Sequence, residues 1–522
     1  MHPASHIAVV AASAPSHMYP HLAVVTELAR RGHRVSYAVG GHLADLVGPT
    51  GADIIACTSV LPGAPGAPES FDETDPVAGM RLFLDEAVHV LPQLHAALDD
   101  DRPDLVLYDI GGMAGPVAAG QWDVPSAQLS PSEVAWEGYH EDMAEVLGPI
   151  FARPGGRAYR RAFDEWLIES GTGLTFDEVT GAPRRCLALI PRVMQRNADR
   201  VGDRYRFVGP CIDPRREEPG DWSPPDGDGP LALLAFGTAY TDRADVYRNV
   251  IEALDGQGWR LVLSTGRTGI EDLGSVPQWV QARKTVPQPA VLQRADCFIT
   301  HAGMGSCTEG LWFGVPMVAV PQAVDQPANA ARLQALGVGR HLQDHLPSVA
   351  TIRDAVLGVA ADHRVRARLT SFAARSVPMA GRNTPPMPSR TLSPGAGEHS
   401  APSMTRCLLG FARILRREGG HDGKLGFGSG RTHPARTGGG LVAAVDHSGG
   451  PGAAQPTPAT DRPGLPHRMA RRPRRADHHL RRCLRHARRA QRRPDMGVMA
   501  TRRGGRRPHR LRRLPLSHPG EV

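Results

Sequence analysis

Two series of short apolar runs, separated by one stretch of proline, glycine and charge, constrain this 522-residue chain more than any other feature. The first opens with "HIAVVAA", His6–Ala12, and continues into a segment with apolar residues at Leu22, Val25 and Leu28, the spacing of one helix face. That segment closes on Arg30, Arg31 and then Gly32 at the C-cap position, and "RVSYAVG" follows as a second strand. A strand–helix–strand unit implies a parallel sheet, because parallel neighbours need a crossover. "PDLVLYDI" (Pro103–Ile110) and "VPSAQLS" (Val124–Ser130) extend the series. A second one runs through "LALLAFG" (Leu231–Gly237), "RLVLSTG" (Arg260–Gly266), "DCFIT" (Asp296–Thr300) and "PMVAVP" (Pro316–Pro321). The stretch between them, Gly209–Pro230, has the composition of a linker. The expected fold class is α/β, with two doubly wound halves facing across a cleft and ligands at the carboxyl ends of the strands.

Charge divides the chain differently. The formal net charge of +8 and pI near 9.4 suggest a nucleic-acid partner until the two ends are separated. From Arg382 onward Lys and Arg outnumber Asp and Glu by 29 to 8, which leaves 32 against 45 in residues 1–381. The part that can build a core is acidic, and no specific nucleic acid is expected as its partner. Residues 382–522 mix Arg, Pro, Gly, His and Ala without apolar periodicity, as in "RRPRRADHHLRRCLRHARRAQRRP", and read as a disordered basic tail. Their composition also fits translation of a GC-rich gene out of frame. Written back with G/C third positions and shifted by two bases, Arg382–Thr391 becomes a charged, helix-forming peptide. The seven cysteines are scattered, with no CxxC spacing, so neither a disulfide framework nor a zinc site is expected. No apolar run is long enough to span a membrane, and the first residues lack the basic region of a signal peptide. A cytoplasmic protein is the expectation.

The most specific chemistry lies in "FITHAGMGSCTEGLWFGVPMVAVPQAVDQPANAARLQALGVG", Phe298–Gly339. A strand ends at Thr300, "HAGMGS" turns, and a helix is expected to start near Ser306. The backbone N–H groups and positive dipole end of a helix start suit a diphosphate. Gly303 and Gly305 allow close backbone approach. His301 and Ser306 can donate to phosphate oxygens, and Glu309 can accept from ribose hydroxyls. Asp325 and Gln326 are expected in a loop after a strand, where a carboxylate and an amide can read sugar hydroxyls.

Together with "VPQPAVL", this stretch resembles the nucleotide-sugar signature of family 1 glycosyltransferases, and in particular the macrolide glycosyltransferases. The likeness continues through "ELARRGHRVSYAV", "LPGAPGAP", "PDLVLYDI", "LSPSEVAWEGY", "ADRVGDRYRFVG", "AFGTAYT" and "LGVGRHL", from about His6 to about Gly381. The resemblance implies a GT-B fold: a Rossmann-like acceptor domain over 1–208, a linker over 209–230 and a Rossmann-like nucleotide-sugar domain over 231–381. It implies inverting transfer of a hexose, usually glucose from UDP-glucose, to a hydroxyl of a macrolide or similar lipophilic acceptor. The UDP-sugar is then a co-substrate, and no metal or other cofactor is required. By position, His301, Gly303 and Ser306 are implied diphosphate contacts, Glu309 the ribose contact, and Asp325 with Gln326 the sugar contacts. Thr238 matches a phosphate contact, Gly266 and Arg267 a donor-side turn, and Val286 and Gln288 positions at the base. One residue departs from the pattern: Thr285 stands where the family has a Trp that stacks on the base.

Transfer to an alcohol needs a base for the hydroxyl proton and a carboxylate to orient it. A lone loop histidine such as His17, in "PSHMYP", ordinarily reads as solvent-exposed and idle. The resemblance places the family's catalytic histidine at this position, although Pro15 and Ser16 replace its usual neighbours. Its implied partner is Asp109, at the end of "VLYD". His21 and His33 read as structural. Met80 and Trp136 lie in or beside segments that resemble the acceptor cleft, and ordinary packing explains them equally well. The alternatives are an impaired GT-B protein without its native last helix, and a nucleotide-sugar epimerase on the same architecture.

Overall fold

In the computed structural model, which describes residues 4–68, 75–237 and 242–375, every strand pairs in parallel with its neighbours. The first sheet comprises β1 (His6–Val10), β2 (Arg34–Gly40), β3 (Asp53–Cys57), β4 (Leu105–Asp109), β5 (Ser126–Ser130), β6 (Cys186–Ala188) and β7 (Tyr205–Phe207). Their spatial order is β3-β2-β1-β4-β5-β6-β7. The second comprises β8 (Leu231–Ala235), β9 (Arg260–Ser264), β10 (Val280–Arg283), β11 (Cys297–Thr300), β12 (Met317–Ala319) and β13 (Gly339–His341), in the order β10-β9-β8-β11-β12-β13.

This order creates the functional geography. In each sheet the chain winds outward on one side of its first strand and then returns to build the other side. The reversal opens a crevice at the carboxyl ends of β1 and β4 in one sheet, and of β8 and β11 in the other. Strands β1 and β8 are fully buried and, apart from His6 at the start of β1, apolar, as strands covered on both faces should be. The β1–β4 seam is tight: a Cβ at Gly112 would lie 2.3 Å from the Val10 carbonyl oxygen, so only glycine fits just past Asp109. The core around β8 and β11 also takes in Val134, Ile190, Met194 and Tyr205, which joins the two halves by apolar packing.

Two local expectations change. His17 does not sit on a loop. Helix α1 spans Pro15–Arg30, so His17 lies in its first turn. Pro15 favours that start, since its ring fixes φ and its missing N–H has no partner to lose at a helix N-terminus. Pro20 lies inside the same helix, and two prolines so close together resemble a loop in sequence. Likewise Asp325 is the N-cap of the helix Gln326–Leu336 rather than part of an open loop. The helix expected near Ser306 begins at Met304 and runs to Phe313. Strands β3, β6, β7, β10 and β13 were not expected from sequence. Thr238 and the tail 382–522 lie outside the described residues.

Candidate active site

The end of β4 faces the start of α1. Asp109, fully buried, receives the His17 imidazole: Nδ1 of His17 lies 2.9 Å from Oδ1. The backbone N–H of Gly111 donates to the same oxygen at 2.7 Å. Burial alone would raise the Asp109 carboxyl, but His17 and then His21 outweigh it and hold it well below the usual carboxylate range. Burial pushes the His17 ring down, yet Asp109, with Asp325 adding from the other half, lifts it above the ordinary 6.5. His17 keeps 27% of its side-chain exposure, and among the described residues no protein group bonds its Nε2. The pair is therefore an imidazole oriented by a buried anion, with one ring nitrogen left for a ligand.

The second crevice is built at the start of the helix Met304–Phe313. Its N-cap, Gly303, has extended backbone and no side chain to cap the first N–H groups. A Cβ at Gly303 would stand 2.5 Å from Nε2 of His301, so the turn needs glycine to fit beside that ring. Burial pushes the His301 imidazole down to about 4, and its Nδ1 has no hydrogen-bond partner among the described residues. A neutral ring, its Nε2 edge against the Gly303 turn, therefore lies beside uncapped amides. Between them, Ala302 adopts a left-handed φ of 64°. Two bonds brace it: its N–H donates to Oγ1 of Thr300 at 3.1 Å, and its carbonyl accepts from Nδ2 of Asn329 at 3.0 Å. The Asn329 amide also reaches Oδ2 of Asp325 at 2.8 Å.

Farther along this helix Glu309 is buried and already engaged. Gln288 donates to its Oε2 at 2.7 Å and also lies 3.4 Å from Oγ of Ser306. Arg216, from the segment between the halves, donates to Oε1 at 2.7 Å. The Arg216 guanidinium also stacks 3.8 Å over the ring of Tyr19, two residues past His17. This contact ties the α1 start to the second crevice, and nothing in the sequence marks Arg216 for it.

The other expected residues divide. Gln326 is buried, and its Oε1 accepts from the backbone N–H groups of Gln322 and Ala323, so it shapes the turn that presents Asp325. Gly266 has φ +62°, as a tight turn requires, and Arg267 beside it is exposed. Val286 packs against the core, and Thr285 is exposed. Trp136 is buried, donates to Asp142 at 2.7 Å and meets Tyr139 edge-on, so its indole is used within the protein. Met80 is partly buried against the first half's core. Among the described residues, no group of three or more His, Cys, Asp or Glu side chains is arranged to hold a metal ion.

Two doubly wound sheets, with a carboxylate-held histidine at one switch point and an uncapped glycine-rich helix start at the other, define the GT-B class of glycosyltransferase. Known proteins agree. A family model for the C-terminal domain of erythromycin biosynthesis protein CIII-like proteins matches residues 250–385. The chain is 42% identical over 372 residues to the oleandomycin glycosyltransferase of Streptomyces antibioticus, covering 70% of this chain and 85% of that protein. It is 31% identical to the NDP-glycosyltransferase YjiC of Bacillus subtilis, covering 70% and 92%. Among solved structures, the glycotransferase of kitacinnamycin superposes with a TM-score of 0.66 at 40% identity, covering 72% of this chain and 95% of that one. The chain belongs to the natural-product glycosyltransferases of the GT-B fold, the family that includes the macrolide glycosyltransferases. It is a transferase that moves a sugar from a nucleotide-sugar donor.

Proposed function

We propose that the protein transfers a hexose, glucose by preference, from a UDP-sugar to a hydroxyl of a macrolide or similar lipophilic natural product, with inversion at the sugar carbon. The observation that carries this reading is the 2.9 Å pair of His17 and buried Asp109 at the first switch point. In the reaction, Nε2 of His17 takes the acceptor's hydroxyl proton while the oxygen bonds to C1 of the sugar. The C1–oxygen bond to the diphosphate breaks, and the nucleoside diphosphate leaves. Asp109 fixes the Nδ1–H tautomer and stabilises the imidazolium that forms.

The donor lies against residues 231–381 and the acceptor against residues 1–208. The N–H groups after Gly303, together with His301 and Ser306, meet the charge that grows on the leaving diphosphate. This arrangement needs no metal. Glu309, Gln288 and Val286 take the nucleoside, while Asp325 and Gln326 hold the sugar. Thr238 and the Gly266–Arg267 turn complete the donor side. Met80 is the acceptor contact this reading keeps.

The full chain, incubated with UDP-glucose and a panel of macrolides and read by mass spectrometry, tests the proposal. A mass gain of one hexose is expected, with inverted configuration by NMR. His17→Ala should lower turnover by about 10²–10⁴-fold while donor binding persists. Product from dTDP-glucose alone would overturn the nucleotide assignment, and undiminished turnover in His17→Ala would overturn the base.

A further inference from the structure

Asp109 has two carboxylate oxygens, and the mechanism above uses one. Oδ1 accepts from His17 and from Gly111. Oδ2 is buried and reaches neither. The group that faces it is Nε2 of His21, at 3.3 Å, and His21 is itself completely buried. Neither atom has a hydrogen-bond partner among the described residues, so the two buried groups face each other at contact distance without a fully aligned bond. His21 follows His17 by one helical turn on α1, so the two rings project from one face and grip the carboxylate from both sides.

Behind His21 stands Tyr37 on β2, fully buried, with its hydroxyl 3.3 Å from Nδ1 of His21. Burial, with Asp109 nearby, pushes the Tyr37 hydroxyl well above its ordinary range, so it stays protonated. A tyrosine hydroxyl that donates to Nδ1 leaves the ring proton on Nε2, the nitrogen nearest Oδ2, where a small ring rotation completes the bond. A buried carboxylate oxygen with no donor is costly, and this is the donor at hand.

We propose that His21 is a positioning residue for the transfer: its Nε2–H, fixed by Tyr37, holds Oδ2 of Asp109 so that Oδ1 stays aligned on His17. The proposal rests on His17 being the base, and His21 acts through Asp109 without touching substrate. The titratable and charged groups around the set are Asp109 from β4, Tyr37 from β2, His17 and His21 from α1, and Asp325 from the turn after β12. Arg216 also approaches, over Tyr19, with its charge met by Glu309. By taking a share of the carboxylate's charge, His21 limits how tightly His17 holds its proton. Without that share, His17 stays protonated to higher pH and fewer molecules carry a free base.

The test is the NMR titration of the His17 ring in the full chain, beside the pH profile of kcat/KM, for wild type, His21→Leu, His21→Gln and Tyr37→Phe. In His21→Leu the His17 midpoint and the acidic limb should both rise by about one pH unit. His21→Gln, whose amide can still donate to Oδ2, should return both toward wild type, and Tyr37→Phe should shift both in the same direction by less. An unmoved midpoint in folded His21→Leu, or an equal shift in His21→Gln, overturns the proposal. If His21→Leu does not fold, an unmoved midpoint in Tyr37→Phe overturns it instead. The ring titration needs no turnover, so it separates this proposal from the base assignment, which His17→Ala tests on its own.

Discussion

At the scale of single residues, the candidate site is a balance between burial and charge at His17. Burial disfavours the imidazolium and Asp109 favours it, with the second effect larger, so the ring titrates above 6.5. A base works in its neutral form, so kcat/KM should rise with pH through that elevated value and then level off. Asp109→Asn removes the charge but keeps the size. The balance then tips toward burial, and the acidic limb should move to lower pH while kcat drops on the order of 10³-fold. A pH–rate series on both proteins checks the two signs together; an acidic limb that stays in place would show that Asp109 does not set it. His17 was legible in the sequence only as one member of a pattern. His21 was not: placed beyond a supposed loop, its one-turn spacing from His17 carried no signal. Once His17 is known to be helical, that spacing alone puts both histidines on the Asp109 side of α1.

At the scale of elements, the donor side depends on a helix start and the turn before it. Ala302 at φ 64° costs roughly 1 kcal/mol relative to ordinary backbone. Asn329 offsets that cost and also orients Asp325. Asn329→Ala leaves the buried Ala302 carbonyl without its donor and should destabilise the protein by about 1–3 kcal/mol in urea unfolding. It should also weaken donor binding measured by calorimetry; a loss of stability with unchanged donor affinity would confine Asn329 to scaffolding. The strand before this region ends near an exposed Thr285, where the family pattern has an aromatic platform. Thr285→Trp should tighten UDP binding by about 1–3 kcal/mol, the worth of stacking one base. No gain would mean that the base lies elsewhere. The glycine-rich turn was readable because close backbone approach admits few residue types. Arg216 and Asn329 were not readable, since their partners come from other elements.

At the scale of the whole molecule, two histidines couple stability to pH with opposite signs. His301, pushed down to about 4 by burial, binds its proton less readily folded than unfolded. Its contribution is present above 6.5 and is lost as pH falls from there toward 4, by about 3 kcal/mol. Asp109, held low, adds a loss of the same sign at more acid pH, as the unfolded carboxyl takes up its proton. His17, raised, stabilises below 6.5 and loses that contribution as pH rises through its folded value. Because the His301 shift is large, net stability should decline between pH 6.5 and 4, and His301→Gln should flatten that slope in thermal melts. An unchanged slope would place the acid sensitivity in other groups.

The sequence by itself determined the α/β class, the two series of strands and the glycine-rich donor turn. Each depends on local rules: apolar runs of strand length, helical spacing between them, and the few residues that fit a tight helix start. It also located most of the buried strands. The short strands β6, β7, β10 and β13 passed unseen because three or four residues carry too little pattern, and β3 because this edge strand is mostly exposed. Only the tertiary structure decided what those pieces do to one another. Strand order put the ends of β1 and β4 side by side, and thereby set His17 and His21 on opposite oxygens of one carboxylate. It also brought Arg216 from the connecting segment onto both Tyr19 and Glu309. Such contacts join residues far apart in the chain, and no local periodicity records them.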